Sequence, residues 1–116
     1  MYDIKFYEDK NGYSEVWEYI EKLNNSKVKA DRIKSNKIRL YLKLLEEYGF
    51  KLNEPQAKKI EDEIWELRPL NDRFLFASWY ENKIVILSHF VKTTNKTPRK
   101  EIEKARKLLK ELKESD

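Results

Sequence analysis

Residues 64–98 read IWELRPLNDRFLFASWYENKIVILSHFVKTTNKTP, and this stretch decides the fold. Residues 64–68 and 74–80 are short runs rich in aromatic and aliphatic side chains. Pro69-Leu70-Asn71-Asp72 between them has turn composition. Glu81-Asn82 breaks the chain again before residues 83–91, which are nearly all aliphatic. The pattern predicts three consecutive antiparallel strands joined by tight turns. Arg68 closes the first run, Arg73 opens the second and Lys92 follows the third. In a meander the end of one strand lies beside the start of the next, so the three cations should converge at one sheet edge. Fixed positive groups in that arrangement suit a phosphate-rich ligand.

Working outward, Tyr2, Ile4 and Phe6 alternate with Asp3, Lys5 and Tyr7, which predicts an N-terminal strand with one buried face. Asn11-Gly12 ends it. Ser14 is a helix N-cap candidate, with Glu15 and Glu18 in the first turn, where the helix dipole favours them. Tyr13, Val16, Trp17, Ile20 and Leu23 follow at helical spacing, and Asn24-Asn25-Ser26 can stop this helix and cap the next. For the second helix the spacing predicts a stripe of Ile33, Lys37, Leu40, Tyr41, Leu44, Leu45 and Tyr48, ended by Gly49. Its Lys29, Arg32, Lys43, Glu46 and Glu47 read as a solvated face. Residues 50–56 read as a loop and 57–60 as a weak short strand, with Lys58 and Lys59 on opposite sides. Thr97-Pro98 is expected to cap and open a terminal helix striped by Ile102, Ala105, Leu108, Leu109 and Leu112. The order β-α-α-β-β-β-β-α predicts one α+β domain over residues 1–116, with helices on one sheet face and the other face partly open.

Composition limits the chemistry. The 116 residues are 40% hydrophobic, 13% aromatic and 40% charged, with two Gly and three Pro, which describes a folding chain and not a disordered one. Net charge is only +4, so attraction to polyanions must be local. It is local, because residues 92–107 hold seven Lys or Arg against two Glu. There is no cysteine and one histidine, which leaves no disulfide, no thiol nucleophile and no expected zinc site or other metal or cofactor. The first residues lack an apolar signal core and no run approaches membrane-spanning length, so a cytoplasmic protein is expected.

Each candidate has a plainer reading beside it. Arg68 and Arg73 around a turn could be surface decoration. Lys92 ends a strongly apolar strand, where partial burial favours a proton-moving role. His89 could act as a general base, but strict alternation places it with Val85, Leu87 and Val91, away from Phe90 and Lys92, and a packed histidine is the better reading. Phe90 either packs or stacks on a base. Trp17, Trp65 and Trp79 read as core, and Tyr80 at a strand end carries little weight.

ELRPLNDRFLFASWY, then VILSHFVKTTNKTP and a final helix, resembles the RelE/HigB superfamily of mRNA-cleaving toxins, most closely its phage-derived, HigB-like branch. The likeness is good over about residues 55–110 and rests on the Arg–turn–Arg spacing with F-x-K-x-T-x-K-T-P. Where that branch usually has His-Gly-Phe-x-Lys-Lys, this chain has Ser88-His89-Phe90-Val91-Lys92-Thr93, so the histidine is displaced by one residue and the second lysine is threonine. The resemblance implies a RelE-like fold and a metal-independent endoribonuclease that cuts translated messenger RNA on the ribosome. It implies catalytic roles for Arg68, Arg73 and Lys92; the charge that follows Lys92 in sequence adds expected contacts to ribosomal RNA phosphates from Lys96, Arg99 and Lys100, with Phe90 as the base-stacking candidate. It also implies a helix-turn-helix antitoxin as partner, in a toxin–antitoxin heterotetramer. Two other readings stay open: a ParE-like protein that inhibits DNA gyrase without cutting RNA, and a non-catalytic RNA-binding domain using residues 92–107 with Phe90.

Overall fold

A computed structural model describes residues 1–115. In chain order the elements are β1 (Asp3–Phe6), α1 (Glu15–Asn24), α2 (Lys29–Tyr48), a single 3-10 turn (Gly49–Lys51), β2 (Ala57–Glu61), β3 (Ile64–Leu67), β4 (Asp72–Tyr80), β5 (Lys83–Val91) and α3 (Arg99–Glu114). The five strands form one sheet in the order β1-β5-β4-β3-β2. β2 to β5 are the antiparallel meander, and β1 joins its edge parallel to β5. The α+β class expected from the sequence is the one observed. Among the described residues no helix is long and apolar enough to cross a membrane.

Alternation in β3, β4 and β5 feeds two cores. Phe74, Phe76, Ile84 and Ile86 face α1 and α2, meeting Val16, Ile20, Ile38 and Leu45. Leu75, Ala77, Val85 and Leu87 face the other way and are covered by Ala105 and Leu109 of α3. The second sheet face is therefore more closed than expected, because the apolar stripe of α3 needs a partner. Each fully buried aromatic or aliphatic side chain contributes about 1.5–3 kcal/mol, and this double burial fixes the strand register.

Several local expectations change. Ser14 does cap α1, accepting the Trp17 N–H at 3.1 Å. Trp17, expected in the core, is about half exposed and meets Phe6 edge-on. In α2 the buried positions are Ser35, Ile38 and Leu45, whereas Ile33, Leu40 and Tyr48 from the predicted stripe are about half exposed. The helix carries two neighbouring apolar stripes, and the sheet takes the one that includes Ile38 and Leu45. Ser26 is not the cap of α2: Val28 holds that position without a side-chain bond, and the Ser26 hydroxyl accepts the Val28 N–H. Gly49 ends α2 with φ 54°, and a Cβ there would run into the Tyr2 ring, so glycine is required on both counts. Pro98 is the N-cap of α3 and not its first helical residue.

Candidate functional site

The turn between β3 and β4 organises the end of the sheet. Asp72 N–H closes it onto Pro69 O at 3.0 Å, and Leu70 sits at φ 55°, a left-handed conformation that suits glycine or asparagine better. Lys92 N–H donates to Asn71 O at 2.7 Å, which ties the exit of β5 to the same turn. Register places Arg73 opposite Phe90 and Asp72 opposite Val91. Arg68, Arg73 and Lys92 thus lie on backbone segments that meet at this edge.

Their side chains gather around a residue the sequence reading passed over. Glu66 of β3 is buried, and its Oε1 accepts from Arg68 Nε at 2.8 Å and lies 3.8 Å from Arg73 Nε. Its Oε2 accepts the Thr97 hydroxyl at 2.8 Å, so Thr97 serves this carboxylate and not the start of α3. Arg73 is itself buried, and its Nη1 donates to Leu70 O at 2.7 Å and Asp72 O at 2.9 Å. Burial pulls the Arg73 guanidinium below its usual range, with Arg68 adding to this and the Glu66 and Asp72 charges opposing it. It stays a cation, since guanidinium does not deprotonate in proteins. Two arginines against one carboxylate leave the cluster one positive charge, and Lys92 adds a second nearby. Lys92 is half-buried, and among the described residues no hydrogen bond or ion pair engages its ammonium. On the same sheet face Ser88 stands buried in the row Glu66–Leu75–Ser88, its hydroxyl without a hydrogen bond among the described residues.

The expected RNA contacts divide. Phe90 packs on the second core with part of its ring exposed. Lys96 and Arg99 line a cleft of about 340 Å³ with Lys58, Arg68 and Thr97, over a floor of Ile60 and Ile102. Arg99, however, grips Glu61 with both nitrogens, at 2.6 and 3.2 Å, and Arg106 joins at 2.5 Å. Hydrogen bonds from Arg99 and then Arg106 hold the Glu61 carboxyl below its ordinary range. Arg99 therefore fastens α3 to β2, while Lys96 and Lys100 remain exposed. A roomier cleft of about 530 Å³ lies by Phe6, Tyr13 and Trp17, but among the described residues Lys5 is the one cation lining it. Volume alone does not find the charged site.

His89 lies on the other face. Leu75 pairs with Ser88 but Phe76 pairs with Ile86, so Leu87 is an extra residue in β5. This bulge overturns the strict alternation: His89 stands opposite Phe74, on the face of Ile84 and Ile86, not that of Val85 and Leu87. It remains away from Phe90, as expected. Its ring stacks on Tyr19 of α1 at 3.9 Å between centroids, and its Nε2 lies 2.8 Å from Asp72 Oδ1. An ionised carboxylate only accepts, so Nε2 carries the proton. Tyr19 donates to the same oxygen at 2.6 Å, and Lys34 Nζ lies 3.5 Å from Oδ2. Burial raises the Asp72 carboxyl, but hydrogen bonds from His89 and Tyr19, with the charges of His89 and Lys34, outweigh it and hold the group below its ordinary range. Burial and the bond to Asp72 raise Tyr19, and the bond to Tyr19 together with the Asp72 charge raises Lys34 against its own burial. Nothing local in the sequence announces this cluster, because its members come from α1, α2, β4 and β5.

The family model of the phage-derived Gp49-like proteins (DUF891) matches residues 18–110, a span that includes both clusters. No curated protein matches the chain.

Proposed function

The chain belongs to the Gp49-like family of phage-derived proteins, a RelE/HigB-like toxin family, and we propose that it is the toxin of a type II toxin–antitoxin system, of the HigB-like branch. In this reading it is a metal-independent endoribonuclease that cuts messenger RNA during translation, and a helix-turn-helix antitoxin holds it inactive. The observation that carries the reading is the gathering of Arg68 and Arg73 on buried Glu66 at the sheet edge that Lys92 also reaches.

RNA carries its own nucleophile, so the demands on the protein are few. The 2′-hydroxyl attacks the adjacent phosphorus, its proton passes to solvent water, and the bond to the 5′-oxygen breaks. The products are a 2′,3′-cyclic phosphate and a free 5′-hydroxyl. Arg68 and Arg73 neutralise charge on the phosphorane, as fixed groups that need no reorganisation. Glu66 orients both guanidinium groups and leaves their outer N–H donors for phosphate oxygens. Lys92, with its ammonium unengaged, protonates the departing 5′-oxygen. The ribosome supplies much of the alignment by holding the codon, so a sparse site is sufficient. Ribosomes place this activity in the cytoplasm.

Primer extension on messenger RNA from cells expressing the chain tests the proposal. Cuts within translated codons, lost when translation initiation is blocked, are expected. DNA-damage induction without RNA cuts would replace this reading with gyrase inhibition.

A further inference from the structure

Asp72 takes no part in the chemistry just described, yet it is held from three directions. It is fully buried at the first position of β4. Tyr19 Oη at 2.6 Å and His89 Nε2 at 2.8 Å share one carboxylate oxygen. Among the described residues the other oxygen receives no hydrogen bond, and Lys34 faces it at 3.5 Å. Packing does not ask for such an arrangement, since apolar residues of similar volume often replace a buried ion pair at no loss of stability. What it supplies is position.

That position bears on the turn. Leu70 holds a left-handed φ of 55°, and a non-glycine residue keeps such a conformation only where its surroundings over-determine it. Two anchors come from the cation side, the Arg73 bond to Leu70 O and the Lys92 N–H bond to Asn71 O. Asp72 supplies the anchor from the helical side, and its own carbonyl accepts from Arg73 at 2.9 Å.

We propose that Asp72 is a positioning residue through which Tyr19 of α1 and Lys34 of α2, with His89, set the turn that aims Arg73 and Lys92 on the opposite sheet face. Its catalytic consequence rests on the reading of Arg73 and Lys92 as active-site groups. The displaced histidine then has a use: at position 89 it serves Asp72, where at 88 it would point to the cations. Lys34 and the edge of Tyr19 are partly exposed, so the helical layer offers a route by which a contact outside the site alters it.

The test begins without RNA. In uniformly labelled protein, nitrogen–proton spectra follow the Arg73 Nε–H and the Lys92 amide, and hydrogen exchange measures how often the Lys92–Asn71 bond opens. Tyr19→Phe removes one hydroxyl and keeps the ring stacked on His89; Lys34→Met removes the charge and keeps the stem. Each should displace the Arg73 Nε–H signal and speed Lys92 amide exchange about tenfold, with β1 amides unchanged. Single-turnover cleavage at saturating RNA on ribosomes should fall about tenfold while ribosome affinity holds. Asp72→Asn should exaggerate all three effects, and if it fails to fold the two milder variants decide the matter. Wild-type Arg73 and Lys92 signals in both would overturn the proposal. A wild-type chain that cuts no RNA would instead sink the functional reading, leaving the spectra to judge the turn.

Discussion

Asp72 and Arg73 are consecutive, yet their side chains leave the sheet on opposite faces and enter two separate charge networks. The Asp72 carboxylate meets Tyr19, His89 and Lys34 below the α1–α2 layer. The Arg73 guanidinium lies with Glu66 and Arg68 on the α3 side and folds back on the carbonyls of Leu70 and Asp72. The alternation of a strand makes this possible, and the turn before it makes it consequential.

Arg68→Ala and Arg73→Ala are both expected to abolish messenger RNA cleavage and growth arrest, and both should cost stability. Arg68 donates the 2.8 Å hydrogen bond to buried Glu66, and its loss leaves that carboxylate oxygen unsatisfied, at about 1–3 kcal/mol. Arg73 is buried, and its removal strands the Leu70 carbonyl and weakens the hold on Glu66, at about 1–3 kcal/mol. Urea unfolding of the two variants beside the wild type checks both costs. Equal stability together with full toxicity would remove both residues from the site.

Glu66→Gln keeps the shape and removes the charge. The amide oxygen still accepts from Arg68, and the Thr97 hydroxyl can turn to accept from the amide nitrogen, but the negative charge between the two guanidinium groups is gone. A destabilisation of about 1–3 kcal/mol and a fall in cleavage of at least tenfold are expected. Cleavage unchanged in a folded Glu66→Gln protein would mean that the arginines need no carboxylate to aim them.

Lys92→Ala should lower cleavage by about two or more orders of magnitude, the range of an acid–base group. His89→Gln should keep most activity, since an amide can still donate to Asp72 and the residue lies off the cation face. Single-turnover rates of the two variants decide between them. The opposite ranking would move the proton-transfer role to His89.

The meander was legible because short continuous apolar runs, broken by Pro69–Asp72 and Glu81-Asn82, leave little alternative to antiparallel strands. The meeting of Arg68, Arg73 and Lys92 followed from strand order alone. The face of α2 was not legible, because Ile33, Leu40 and Tyr48 form as good a stripe as Ile38 and Leu45, and only the sheet chooses between them. The face of His89 turned on one extra residue at Leu87, which an apolar run does not reveal. Glu66 looked like any polar strand residue, and its burial makes sense only once two arginines and Thr97 arrive from elsewhere. Tyr19 and Lys34 met Asp72 through tertiary packing, which spacing along the chain does not encode.

The Asp72 network gives stability a defined pH dependence. The folded-state carboxyl lies below its unfolded value of about 3.9, so its contribution is complete above that pH and is lost as pH falls through the lower folded value. Tyr19 and Lys34 are raised in the folded state, so theirs are complete below about pH 10 and are lost as pH rises beyond it. Urea midpoints measured from about pH 2 to about 11 should show both limbs. Asp72→Asn should flatten the acid limb and Tyr19→Phe the alkaline one. An acid limb as steep in Asp72→Asn as in the wild type would assign it to other carboxylates, such as Glu61 beside Arg99.

Ribosome binding should separate the exposed lysines from the bound arginine. Lys96, which lines the cleft beside Arg68, and Lys100 are exposed, whereas Arg99 already holds Glu61. A group free to meet a phosphate releases a counterion when it does so, and each such contact adds about 0.7–0.9 to the slope of log affinity against log salt. Neutralising Lys96 and Lys100 to Gln should therefore lower ribosome affinity and flatten that slope by about 1.5, with the choice of codon among residual cuts unchanged. Arg99→Gln should flatten the slope less, because Glu61, shared with Arg106, already engages its guanidinium, and should instead loosen the start of α3 from β2. Ribosome pelleting across a salt series reads the slopes, and amide exchange at residues 101–105 reads the helix. A slope that Arg99→Gln flattens as much as the double lysine change would show that the ribosome breaks the Arg99–Glu61 pair on binding.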